Sequence, residues 1–209
     1  MIEAHWLLFL FASIIVIATP GQDMILVMSK ALGQGTRAGV TTAAGVSVGL
    51  LGHTLLATLG LGALIRTSEW LFVALKFVGA AYLVYLGIQL LRTCSAAPTS
   101  AALARQSHLQ LFLTGAASNI SNPKIAIFFF AFLPQFVTPS AAHPTLTVFV
   151  LGALFALLTF CVKGPVALFA GWLSSWFGQR PRALLWLYRS SGLVMLGLSV
   201  KLALSRREG

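Results

Sequence analysis

Asp23 and Lys124 are the side chains whose type and position call for a chemical role. Both lie inside long apolar stretches and both follow a proline, in Thr19-Pro20-Gly21-Gln22-Asp23 and in Asn122-Pro123-Lys124. A charge near the centre of a bilayer costs about 2.5–3.5 kcal/mol even on a lenient insertion scale, so each must face a cavity or a partner. Two readings follow. The pair could receive the charged groups of a passing solute, or it could form a structural salt bridge between its two segments, although a buried pair is weak evidence for stability. Each proline lacks an N–H and clashes with the carbonyl four residues back, which frees the carbonyls of Val16 and Asn119. Thr19 and Asn122 are biased out of the helical region. Asn122 is therefore placed as an N-cap with Pro123 at the first position of a restarted helix, and Thr19-Pro20-Gly21 permits the same restart. Irregular backbone at membrane depth is tolerated where it lines a cavity or is buried in protein. A plain kink is the alternative for either proline alone.

Other polar residues divide into packing and function. Lys163, in Cys161-Val162-Lys163-Gly164-Pro165, lies well inside an apolar run beside another expected helix break and is open to a functional role. Lys76 and Arg189 stand near segment ends, from which they can snorkel. Gly45, Gly49 and His53 recur every four residues, hence on one helix face. Glycines at that spacing let a second helix approach closely, and His53 is either a proton relay or a packed, hydrogen-bonded histidine. The sequence has no HExxH or P-loop motif and no paired carboxylates. No catalytic residue is assigned, and an ion gradient is the energy source expected for uphill work. Cys94 and Cys161 have neither CxxC spacing nor a Cys/His cluster, so no zinc site or disulfide is expected. No cofactor is expected either.

These residues need membrane-spanning elements to position them. Of 209 residues, 58% are apolar or aromatic and only 9% are charged, against roughly a quarter charged in soluble domains. The formal charge of +10 comes from residues between and at the ends of apolar runs, which points away from nucleic acid as its partner. A spanning helix takes about 20 residues, and predominantly apolar runs, each with at most two charges, fall at 5–28, 40–65, 70–91, 109–137, 145–173 and 184–204. The first lacks a basic n-region and runs into a polar break, so it reads as a span, not a signal peptide. The longest polar linker, 92–108, is rich in Ser, Thr, Ala and Pro and divides the chain into halves.

An offset of 103 sets Leu8, Phe9, Leu10, Ile17 and Pro20 on Leu111, Phe112, Leu113, Ile120 and Pro123. With three spans per half, the second copy enters the membrane from the opposite side, which is the inverted-repeat plan of many secondary transporters. The expected architecture is thus an all-α membrane protein of six spans. It consists of one domain, 1–209, made of two inverted three-helix repeats (1–91 and 109–209), with helices 1 and 4 broken at Pro20 and Pro123. Lys30, Arg37, Arg92, Arg105, Arg180 and Arg182 fall in odd-numbered loops against Arg66 alone in the even ones, so the odd loops are expected in the cytoplasm. Arg206 and Arg207 in the tail argue the other way.

Across essentially its whole length the chain resembles the LysE/RhtB family of bacterial amino-acid exporters. The resemblance rests on Thr19-Pro20-Gly21-x-Asp23, on Arg37-Ala38-Gly39 with Gly45, Gly49 and His53, and on Leu75-Lys76-x2-Gly79-Ala80-x-Tyr82-Leu83. Its most specific string is Asn122-Pro123-Lys124-x-Ala126-x-Phe128-Phe129-x-Ala131-Phe132-Leu133-Pro134-Gln135-Phe136. Gln22 departs from the family pattern, which usually has a second proline there. The resemblance implies export of amino acids or close derivatives across the cytoplasmic membrane, driven by the proton motive force. Export of a metal or other small cation is the alternative, since cadmium-resistance membrane proteins are similar to the family. A zwitterion would present its carboxylate to Lys124 and the restarted helix after Asn122 and Pro123. Its ammonium would go to Asp23 and the carbonyls freed near Pro20, Gly21 and Asn119. With Asp23 the sole deep acid, neutral amino acids such as homoserine, threonine or leucine are favoured over lysine or arginine. Asp23 and His53 are the candidates for proton coupling. Expected partners are the amino acid, protons and the lipid bilayer, and a homodimer is allowed.

Overall fold

The computed structural model describes residues 6–67, 69–93, 105–137 and 142–204. Cys94, most of the 92–108 linker, and the tail arginines Arg206 and Arg207 lie outside the described residues. Within them the chain is helical. The order is α1 (Trp6–Ala18), α2 (Gln22–Gln34), α3 (Thr36–Thr67), α4 (Glu69–Arg92), α5 (His108–Ile120), α6 (Pro123–Ile127), α7 (Pro144–Leu168), α8 (Ala170–Gln179) and α9 (Pro181–Leu204). A π-helical turn at Phe128–Phe132 and a 3-10 turn at Leu133–Phe136 continue α6.

Three helices are long and apolar enough to cross a bilayer, over Thr36–Gly60, Pro144–Leu168 and Arg182–Leu204. The bent pairs α1/α2 and α5/α6 qualify when each is counted as one span, which gives up to five among the described residues. The fourth helix, α4, is 24 residues long and packs along α9. Both bent pairs turn by 52° at the proline. The first segment extends further than the apolar run suggests: Lys30 is not in a loop but inside α2, buried, with its Nζ donating to Gln106 Oε1 over 2.6 Å. Pro165 does not break its helix either. The α7 helix runs through it to Leu168, as spanning helices can when neighbours satisfy the freed carbonyl.

The core is a set of interlocked aromatic rings. Phe128 stacks on Phe155 at 4.7 Å, and Phe136 meets Phe9 edge-on at 5.4 Å, tying α1, α7 and the π-turn together. Large apolar side chains such as Leu7, Phe11, Leu59 and Leu193 face outward, a surface suited to lipid. The α3 and α5 helices approach each other backbone to backbone. A Cβ on Gly45 would strike the Phe112 backbone, and one on Gly49 would sit 2.7 Å from the Ala116 carbonyl oxygen. From the other side, a Cβ on Gly115 would meet the Thr42 carbonyl. This backbone-to-backbone seating holds α5, and so the second break, in register with His53.

Candidate functional site

The first break runs from Thr19 to Gly21. The Thr19 N–H still closes on Ile15 O at 2.9 Å, and its hydroxyl donates to the same oxygen at 2.6 Å. Proline at 20 leaves the Val16 carbonyl without its helical donor. Gly21 is the N-cap of α2, in extended backbone and with no side-chain cap, so Asp23 enters in the first helical turn, where the helix dipole favours a negative charge. At the second break the Ser121 N–H closes α5 on Ala117 O, and the Asn122 N–H turns back to Asn119 O at 3.0 Å. Asn122 then caps the restart, its Oδ1 accepting from the Lys124 N–H at 3.1 Å with Pro123 in the first turn.

The second break satisfies the loose carbonyls of the first, and α3 reaches the carbonyl freed at the second. Lys124 Nζ donates to Val16 O at 3.0 Å and to Thr19 O at 3.3 Å. Asn119 O, freed by Pro123, lies 3.2 Å from His53 Nε2. Asp23 is 2% exposed and accepts three side-chain donors: Ser118 Oγ on Oδ1 at 3.1 Å, and on Oδ2 both Asn119 Nδ2 at 2.8 Å and Lys163 Nζ at 3.3 Å. Gln22 Nε2 adds bonds to Ser118 O and Oγ at 3.3 and 3.2 Å, so the position where a second proline is usual becomes another tie between the breaks.

This geometry corrects the expected salt bridge. The partner of Asp23 is Lys163 of α7, with both side chains almost wholly buried, and Lys124 is held by backbone carbonyls instead. The carbonyls of Val16 and Asn119, expected to be open to a solute, are occupied by Lys124 and His53. His53 does not touch Asp23. Among the described residues it is joined to the carboxylate through Asn119 alone, lies 5.8 Å ring to ring from Phe129, and has no partner on Nδ1. Pro20, Gly21, Asp23, Asn119, Asn122 and Lys124 come together around the two breaks. Gly45 and Gly49 stand one layer away, against α5. Ser118 was not singled out in the sequence, although its place four residues before Asn122, where α5 is about to end, was a usable signal.

The cluster holds two ammonium groups and one carboxylate. It can therefore accept an anionic group at Lys124 and trade one cation for another at Asp23. Among the described residues no three His, Cys, Asp or Glu side chains stand close enough to share a metal ion.

Comparison with known proteins decides the family. A family model described as LysE type translocator matches residues 14–206. The chain belongs to the LysE family. As a LysE-type translocator it is a multi-pass protein of the cytoplasmic membrane. It is 31% identical to the homoserine/homoserine lactone efflux protein of Salmonella typhimurium over 96% of this chain and 97% of that one. It is 26% identical to the leucine efflux protein of the same organism over 93% of this chain and 92% of that one. An uncharacterised membrane protein of Pseudomonas aeruginosa is 33% identical over 91% of this chain and 90% of its own. No solved structure matches this translocator.

Proposed function

We propose that this translocator is a secondary exporter of amino acids or close derivatives, driven by the proton motive force, with neutral substrates such as homoserine, threonine or leucine preferred over lysine and arginine. The observation that carries this reading is the carboxylate of Asp23, the one buried acid among the described residues, set at the paired helix breaks with Lys163 of α7 on it and Lys124 held at the first break. A zwitterion's carboxylate draws Lys124 from the Val16 and Thr19 carbonyls. Its ammonium then takes those carbonyls and the Asp23 carboxylate. A dibasic substrate brings a second cation for which the cluster has no acid. Pro20, Gly21 and Asn122 keep the backbone open at the site, Asn119 orients Asp23, and His53 stands one hydrogen-bonded residue from the carboxylate, where protons can be handled.

The proposed transport frame is a six-span inverted repeat, with 1–91 and 109–209 as its halves and odd loops in the cytoplasm. Supporting it, the equivalent helices α3 and α7 pack on each other, as do α4 and α9, and the two breaks bend equally. Counterflow in proteoliposomes with labelled homoserine, threonine, leucine and lysine tests the reading. Exchange of the neutral substrates is expected to exceed that of lysine at least tenfold, since one uncompensated buried charge exceeds 1.4 kcal/mol. Exchange of a divalent metal and of no amino acid would overturn it.

A further inference from the structure

We propose that Lys163 carries the coupled proton, and that antiport arises because the Lys163 ammonium and the substrate ammonium compete for one seat, the carboxylate of Asp23. The inference rests on the amino-acid reading of the site given above. Lys163 sits in the C-terminal part of α7, which ends at Leu168, is 4% exposed, and its Nζ donates to Asp23 Oδ2 at 3.3 Å. Among the described residues, this carboxylate is the one acid within ion-pair reach of Lys163. The other ionisable groups facing this pair are Lys124 from α6, a like charge, and His53 from α3, reached through Asn119. The α1 and α8 helices, which also pack on α7, contain no ionisable side chain.

A buried ammonium left with neither a counter-charge nor acceptors such as the two carbonyls that hold Lys124 loses its proton. When the substrate ammonium takes Oδ2, Lys163 is left in that condition, and its N–H bond breaks to give a neutral amine and a proton that leaves to water on the side from which the substrate entered. No other bond changes. When the substrate leaves on the far side, Lys163 takes a proton there and returns to Asp23. Charge balances through the cycle. The empty cluster has two ammoniums and one carboxylate and is net positive by one. The loaded cluster has Lys124 charged, Lys163 neutral, Asp23 charged and a zwitterion, and is net neutral. One proton therefore enters for each substrate exported, and one positive charge moves inward with it, so an inside-negative membrane potential drives export.

The test is proton release on binding, read with a pH indicator in weakly buffered detergent solution as L-homoserine or L-leucine is added to the purified protein. About one proton is expected per substrate bound by the wild type, because binding and deprotonation are linked. Lys163→Arg keeps the ion pair and the fold but carries a guanidinium that stays protonated. It is expected to release no proton and, in proteoliposomes, to give counterflow without uphill transport, the accumulation ratio falling to about one. Binding by the wild type without proton release overturns the proposal alone. Wild-type uphill transport by Lys163→Arg also overturns it, as does retention of the release in Lys163→Arg. Failure of the wild type to exchange any amino acid overturns the transport reading and takes this proposal with it.

Discussion

The two helix breaks bend by the same 52° but are built differently. The break at Pro123 is capped from within: Asn122 holds the first turn of α6, and Asn119 O receives both the Asn122 N–H and the imidazole of His53. At Pro20 the cap residue is a glycine with no side chain to offer, and the freed Val16 carbonyl depends on a lysine from the other half. The second break is thus a finished piece of backbone that exports donors, namely Ser118, Asn119 and Lys124. The first is an unfinished one that, apart from the Gln22 amide, supplies acceptors. A solute with one anionic and one cationic end matches this asymmetry, because it can replace Lys124 at the first break while engaging it.

The comparison can be broken most severely at Asp23. Asp23→Ala strands the Lys163 ammonium and leaves Ser118 and Asn119 without their acceptor, so a loss of about 3–5 kcal/mol is expected, visible as a large fall in thermal stability in detergent. Asp23→Asn, nearly isosteric, is expected to keep more of the fold and lose uphill export. Next comes Gly49→Leu, which drives a side chain into the Ala116 backbone and should cost about 1–3 kcal/mol through overpacking, read as a reduced yield of monodisperse protein. Normal yield would show that α3 and α5 can part without harm. The smallest effects sharpen the contrast between the caps. Asn122→Ala removes a side-chain cap and should cost about 1 kcal/mol. Gly21→Ala should change stability by only a few tenths of that, since its Cβ would meet Lys124 Nζ at an ordinary 3.4 Å. Equal losses for the two would contradict the described difference.

Much of this arrangement was legible in the sequence. The apolar runs located the long helices, because a predominantly apolar stretch of about 20 residues is itself the physical requirement. The prolines located both breaks through the missing N–H. Side-chain partnership was not legible. Asp23 and Lys124 share a depth, but depth along the segment says nothing of which way a side chain points around the helix, and Lys163, 140 residues from Asp23, faces it from α7. The carbonyl freed by a break competes for the nearest cation, and that preference took Lys124 away from the acid. Pro165 misled for a related reason: a proline breaks a helix only if nothing else holds it, and α7 is packed against α3 over much of its length.

The central claim is that Lys124 leaves its carbonyls to receive a substrate carboxylate, and Lys124→Met tests it most directly. The substitution preserves side-chain bulk, leaves the Asp23–Lys163 pair intact, and strands two carbonyls at about 1–3 kcal/mol each. Counterflow of labelled homoserine and leucine should be measured on protein shown to be monodisperse. The account predicts folded protein whose substrate affinity falls about 10- to 100-fold, the worth of a charge-assisted bond. Wild-type counterflow and affinity in that variant would show that Lys124 is only a strap across the first break, and would contradict the account.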